Sequence, residues 1–287
     1  KLFFYNYFLY ILEYHHKSFG KRVENISNLD PSKEYLACVA CLSRFKSNID
    51  CNPEKLIRSV IKSENYQKVF IAFRIDKSDN TFFYKRLFNK YSKKIDMCLI
   101  IGRNASSRYD FPTFWEETFQ YLRKYNFIWY QLTSDDSYFM RKDWILKFED
   151  FSKDKKLLMV SDVMLNYPSK TWYLDKDGKR IDIYQPPTVN YPAIKSDVLS
   201  FLSTEFPNDP LFGPNMSSDT YWGMVFGDSP YYICFHSYIL RAPQLNSFID
   251  SADSNNLRKM SLFENSTKKY REKGISILNA LIHKYNL

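Results

Sequence analysis

Glycine is scarce, with 7 among 287 residues. None lies in Ser43–Ser47, the loop after the first strongly apolar run, and no G-x-x-x-x-G-K-[ST] stretch occurs. P-loop phosphate chemistry is therefore unsupported. The chain also lacks a G-x-S-x-G elbow and an H-E-x-x-H pair, so classical hydrolase sites are unsupported. Cysteine is sparse and odd in number, at five, which argues against a complete disulfide framework. Cys38 and Cys41 form a C-x-x-C, but they sit in an apolar run with strand character. Three residues apart on a strand, they point to opposite faces and read as buried structural thiols rather than zinc ligands. No helix-turn-helix, zinc-finger or RNA-binding signature is present, so no nucleic-acid partner is expected. A membrane-spanning run is missing too. Leu2–Leu12 is apolar but is interrupted by Asn6 and falls short of the roughly 20 residues a bilayer needs. It reads as an amphipathic helix packed on the core, with a peripheral membrane contact as the alternative. It carries no clear signal-peptide cleavage site. The chain starts at Lys1 without an initiator Met, which leaves room for upstream residues.

What is present is an ordinary globular balance: 45% hydrophobic and 25% charged residues. The length suits one large domain or two small ones. The formal charge is +9, but the basic residues are spread along the chain. The densest runs, Lys153–Lys156 and Lys268–Lys273, read as solvated surface, in a field that still favours an anionic small ligand. Aromatics reach 18%, alongside plentiful Lys, Asn and Ile. That mix matches AT-rich coding as well as any function, so it does not argue for a sugar-stacking surface. Reduced thiols fit the cytoplasm. The four N-x-S/T sites, at Asn25, Asn104, Asn215 and Asn265, keep a Golgi-type lumen as the alternative.

Residues 1–16 read as a helix or irregular apolar arm, and 17–34 as a polar linker. Strand and helix then alternate. Tyr35–Leu42 (YLACVACL), Val69–Phe73 (VFIAF), Met97–Ile101 (MCLII) and Phe127–Leu132 (FIWYQL) are short continuous apolar runs, typical of strands buried on both faces. Between them, Glu54–Lys62 after Pro53, Thr81–Lys90 and Phe111–Lys124 have helical spacing. Such alternation predicts βαβ units and a parallel sheet, with ligands at the carboxyl ends of the strands. The polar loops at those ends bring Ser43–Lys46, Arg74–Asp79, Arg103 and Asp135–Asp136 toward one site. In the second half, Leu157–Leu165 and Tyr231–Leu240 read as strands. Tyr167–Pro192 reads as loops with short strands, Asp197–Ser203 and Asp219–Phe226 as helices, and Asn256–Tyr285 as a helical tail.

The strongest chemical signal is Phe127–Asp136, an apolar strand ending in Ser134-Asp135-Asp136. Adjacent carboxylates at a strand end can offer hard oxygen ligands to Mg²⁺ or Mn²⁺, which also suits phosphate oxygens. A bland alternative is a polar turn capping a helix, with Asp136 or Ser137 as N-cap.

At this point the order of elements resembles the GT-A fold of glycosyltransferases, especially the family-2-like inverting enzymes that use nucleotide sugars. Gln131-Leu132-Thr133-Ser134-Asp135-Asp136 resembles the family's acidic D-x-D-type strand end, although its first acid falls on Thr133 here. The resemblance implies a mainly parallel α/β sheet flanked by helices, in a single domain with a helical C-terminal tail. It implies a nucleotide-sugar-binding half at 35–136, an acceptor-binding half at 137–255 and a C-terminal helix at 256–287, after the 1–34 arm and linker. Ser43, Arg44, Asp76, Arg103, Ser134 and Asp135 would then face the nucleotide. Asp135 and Asp136 would hold Mn²⁺ or Mg²⁺, with His236 as a further ligand. Met216–Trp222 resembles the place of the family's base, which puts that role on Asp219, with Asp209 as runner-up. Trp172, Tyr221 and Trp222 would contact the acceptor, although burial is the expected fate of such rings. The implied partners are a nucleotide sugar, UDP-linked by family expectation, and a glycan or glycoprotein acceptor. A nucleotidyltransferase shares this kind of core, but it would normally carry a Gly-rich loop where Ser43–Ser47 has none. A non-catalytic carbohydrate-binding protein on the same fold is the other alternative.

Overall fold

The computed structural model describes residues 24–43, 52–104, 110–163, 170–174, 180–184, 189–207, 211–212, 221–222, 225–226, 229–234, 239–241 and 272–287. The first half alternates as its apolar runs predict. Strands β2 (Glu34–Ser43), β3 (Val69–Asp76), β4 (Asp96–Gly102) and β5 (Asn126–Ser134) are joined through helices α1 (Pro53–Ile61), α2 (Thr81–Tyr91) and α3 (Phe111–Leu122). The helix starts follow from local chemistry. Asn52 Oδ1 accepts from the Lys55 amide at 3.0 Å ahead of Pro53, and Asn80 Oδ1 accepts from the Phe83 amide at 3.1 Å. Both side chains satisfy amides that no earlier carbonyl can reach.

These strands belong to an eight-stranded sheet ordered β1-β4-β3-β2-β5-β10-β7-β11. Here β1 is Glu24–Ser27, β7 Met159–Val163, β10 Val189–Lys195 and β11 Tyr232–Cys234. β4, β3, β2 and β5 pair in parallel, and so do β7 and β11. β10 is antiparallel to both β5 and β7, and β1 is antiparallel to β4. The fold is therefore a mainly parallel, mixed α/β sheet, as expected. A hairpin of β8 (Lys170–Leu174) and β9 (Arg180–Tyr184) stands apart, as does a ribbon of β6 (Ser137–Phe139) with β12 (Ile239–Arg241).

The sheet carries an apolar layer on each face. Cys38, Ala40, Phe70, Ala72, Cys98 and Ile100 face one layer, where α3 contributes Trp115, Phe119 and Leu122. Ala37, Val39, Cys41, Ile71, Phe73 and Leu99 face the other, against α1, α2 and α4 (Trp144–Lys153). Cys38 and Cys41 are thus buried on opposite faces, as their spacing predicts. The first layer is completed by α5 (Ser196–Glu205), through Val198, Leu199 and Leu202, and by a helix over residues 272–285, through Ile277 and Leu281. Much of the aromatic content goes into this core. Phe119 meets Tyr130 edge-on at 5.3 Å, and Phe139 stacks on Trp144 at 4.1 Å.

The structure departs from the sequence reading in four places. The stretch read as a polar linker contains β1, whose four residues, ENIS, carry no apolar run; it is an edge strand held by pairing with β4. Helix α4 was not anticipated, although its Trp144, Ile145 and Phe148 are buried. The single strand expected over Tyr231–Leu240 is two strands in different sheets, β11 and β12. Tyr167–Pro192, read as loops with short strands, runs into β10, a seven-residue strand that continues to Lys195 and lies in the interior of the sheet. Pro192 hides it, because proline cannot donate to a ladder. The sheet accommodates it with a register shift between Asn190 and Ala193, and Tyr191 takes a left-handed backbone at φ 49°. Among the described residues, no helix is long and apolar enough to cross a membrane.

Candidate functional site

The parallel registers align the strand ends. Ser43 of β2 lies opposite Ile75 of β3, Leu42 opposite Ser134 of β5, and Asp76 of β3 opposite Gly102 of β4. Ser43, Asp76, Arg103 and Ser134–Asp136 therefore share the carboxyl edge of the sheet, where ligands of such folds bind.

Asp135 and Asp136 sit in the tight connection from β5 to β6 and are 5% and 4% exposed. The connection is closed by Ser137 Oγ, which donates to the Ser134 carbonyl at 2.6 Å. Asp135 Oδ2 accepts from Ser43 Oγ at 2.7 Å, and Ser43 Oγ is bonded in turn to the Tyr84 hydroxyl. Asp136 Oδ1 accepts from Ser134 Oγ, which lies 3.2 Å from the Tyr191 hydroxyl. The Asp135 carbonyl accepts from the Asn52 amide at 2.8 Å, which brings the start of α1 against the pair. Thr133, where the family pattern has its first acid, is buried and donates to the Ala40 carbonyl at 2.8 Å. It ties β5 to β2 and offers no carboxylate. Gln131 does the same on the other side, donating to the Tyr191 carbonyl of β10 at 2.7 Å.

A charged cluster lies on the same edge, at the ends of β3 and β4. Arg74 is 2% exposed. It is ion-paired to Asp76, donates to the Arg103 carbonyl at 2.5 Å and lies over the Phe114 ring at 3.6 Å. Burial pulls the Arg74 pKa down, and the Asp76 charge opposes that shift. Arg103 covers the same ring at 4.7 Å and reaches Glu117 at 3.3 Å and Asp110 at 3.5 Å. Burial raises the carboxyl pKa of Glu117, against the pull of Arg103, and raises that of Glu116 as well. A side chain at Gly102 would place its Cβ 2.7 Å from the Arg74 guanidinium, so the glycine leaves room for the buried arginine.

Of the residues read from the sequence, the structure therefore gathers Ser43, Asp76, Arg103, Ser134, Asp135 and Asp136 at one edge. Asp76 is engaged there by Arg74. Arg44, Asp209, Asp219 and His236 lie outside the described residues. Trp172 is on β8, opposite Asp182 of β9. Tyr221 and Trp222, expected at the acceptor, are 1% and 0% exposed, and Trp222 stacks on Phe226 at 5.7 Å. Packed in the core, they present no ring face to a ligand. Sequence reasoning missed Tyr84 and Tyr191 because nothing local marks them: one is an apolar helix position and the other precedes a proline. It also missed Asp162, a buried carboxyl near the end of β7.

No protein-family model matches the chain, and comparison with curated proteins gives no match. Among solved structures, the chain is similar to TarS of S. aureus in complex with UDP-GlcNAc, at 13% identity and TM-score 0.48, over 76% of this chain and 61% of that one. It is also similar to the mannosyltransferase PcManGT of Pyrobaculum calidifontis in complex with GDP-Man and Mn²⁺, at 14% identity and TM-score 0.47, over 83% and 65%. A third is the 4-diphosphocytidyl-2C-methyl-D-erythritol synthase of Anaerococcus prevotii, at 11% identity and TM-score 0.46, over 72% and 90%. The chain spans about half the length of another TarS structure, 54% of it.

Proposed function

We propose that the chain is a glycosyltransferase of GT-A type that moves a sugar from a nucleotide diphosphate sugar, UDP-linked by expectation, to an acceptor hydroxyl with inversion. The observation that carries the proposal is the buried pair Asp135–Asp136 at the carboxyl edge of a mainly parallel sheet. Among the described residues, no three metal-ligating side chains gather. Two carboxylates are nonetheless the usual protein share of a Mg²⁺ or Mn²⁺ site whose other ligands are substrate phosphates and water. The donor set therefore fits a divalent cation shared with a diphosphate. A cation held there would supply positive charge to a departing nucleoside diphosphate.

In this reading the remaining edge residues bind and orient the donor. Ser43, Ser134 and Asp76 accept hydrogen bonds from the nucleoside and ribose, and Arg44 and Arg103 answer phosphate charge. Asp219 takes the proton of the acceptor hydroxyl, so that one displacement inverts the sugar carbon. His236 is a further metal ligand, and Trp172 contacts the acceptor.

The test is thermal shift with UDP, GDP, CMP and ADP, each with and without Mn²⁺. A nucleotide that binds only the folded chain raises its melting temperature. The expected result is stabilisation by one nucleoside diphosphate, strengthened by Mn²⁺ and abolished in Asp135→Ala. Absence of any shift at millimolar nucleotide would sink the donor site and turn the reading toward a binding protein on this fold.

A further inference from the structure

Each carboxylate of the acidic pair is held by a serine, and each serine is held by a tyrosine from a different part of the fold. Tyr84 comes from α2 and is buried. Tyr191 comes from the bulge of β10, where its φ of 49° places a non-glycine residue in the left-handed region. That conformation is uncommon and persists only where the surroundings fix it. Here the Tyr191 carbonyl is fixed by Gln131, and its hydroxyl reaches Ser134.

Counting protons sets the direction of both chains. A serine hydroxyl has one proton, and an ionised carboxylate only accepts. Ser43 donates to Asp135, so it must accept from Tyr84; Ser134 donates to Asp136, so it must accept from Tyr191. We propose that Tyr84 and Tyr191 are positioning residues that orient Asp135 and Asp136 through Tyr–Ser–Asp relays, preparing the pair to share a divalent cation with a diphosphate. This rests on the metal site proposed above.

The physical reason for two relays is that the two carboxylates are adjacent in sequence at one strand end and both buried. Neighbouring like charges repel, and a free serine rotor would let each carboxylate turn away from its neighbour. A hydrogen bond arriving at the serine oxygen leaves its one proton aimed at the carboxylate, and chained bonds strengthen one another. Groups that orient metal ligands from behind typically change metal affinity by roughly 10–100-fold when removed.

The test is Mn²⁺ titration followed by electron paramagnetic resonance, with UDP or whichever nucleotide stabilises the chain. The unaltered chain is compared with Tyr84→Phe, Tyr191→Phe, Asp135→Ala and Tyr35→Phe. Tyr35 is a buried tyrosine at the opposite end of the sheet, donating to Asp96 at 3.0 Å, so its variant controls for loss of a tyrosine hydrogen bond. Tyr84→Phe and Tyr191→Phe are expected to weaken Mn²⁺ binding roughly 10-fold each, with Tyr35→Phe unchanged. Ser43→Ala and Ser134→Ala cut the same relays in the middle and must reproduce the loss. Ser43→Ala combined with Tyr84→Phe should bind no worse than Ser43→Ala alone. Loss in Asp135→Ala with both relay variants within about twofold of the unaltered chain would overturn the relays and leave the metal site standing. An equal loss in Tyr35→Phe would also overturn them. No Mn²⁺ binding by the unaltered chain would overturn the site reading, and the relays with it.

Discussion

Arg74 offers the sharpest test of how the site edge is held. Replacing it with methionine keeps much of the side-chain volume but leaves Asp76 without its guanidinium partner. Removing one member of a buried ion pair typically costs about 3–5 kcal/mol, because the other charge stays desolvated. The Asp76 side chain retains 12% exposure, so water can reach it and the low end of that range applies. The lost guanidinium stack on Phe114 adds a contribution of up to about 2 kcal/mol for a desolvated contact. A total near 3–5 kcal/mol follows for Arg74→Met. Urea unfolding followed by tryptophan fluorescence measures it. With a denaturant slope of about 3 kcal/mol per molar, the midpoint should fall by about 1–1.7 M while the slope stays constant. Adding Asp76→Asn to Arg74→Met should recover at least about 2 kcal/mol of that loss, since the buried charge that lost its guanidinium is gone. A loss below about 1 kcal/mol with an unchanged slope would refute the argument: the pair would then behave like an exposed salt bridge.

Two further outcomes follow from burial. The Glu116 carboxyl is pushed up by desolvation, against a bond from the Leu211 amide at 3.3 Å, so the folded chain holds that proton more tightly than the unfolded one. Its contribution is full below the ordinary glutamate range and is lost as pH rises through the raised folded value. Glu116→Gln should therefore melt higher than the unaltered chain at pH 7–8 and converge with it near pH 4; a constant difference across that range would contradict the assignment. Leu281→Ala, in the helix over residues 272–285, removes a fully buried side chain and should cost about 2–5 kcal/mol by denaturant midpoint. A cost within about 0.5 kcal/mol would mean that this helix does not dock on the core.

The sequence by itself determined the first half of the sheet and the edge where its candidate site residues gather. Apolar runs such as YLACVACL, five to eight residues long and bounded by polar loops, admit little but strands buried on both faces. Their alternation with helical spacing forces parallel pairing, and parallel pairing puts Ser43, Asp76, Arg103 and Asp135–Asp136 on one edge. The opposite burial of Cys38 and Cys41 was legible from strand periodicity alone. What depends on partners distant in sequence was not legible. β1 is a strand only because β4 pairs with it, and β10 lies inside the sheet only because a bulge absorbs Pro192. Nothing near Arg74 in the sequence announces that Phe114 and Gly102 make a slot for its guanidinium. Tyr84 and Tyr191 reach the acidic pair from 51 and 56 residues away, counted to Asp135, across contacts that exist only once the sheet has closed. Local pattern reports how a segment buries its own surface. Which side chains meet at the strand ends is decided by register and by the helices laid over them, and that information lies in the tertiary structure.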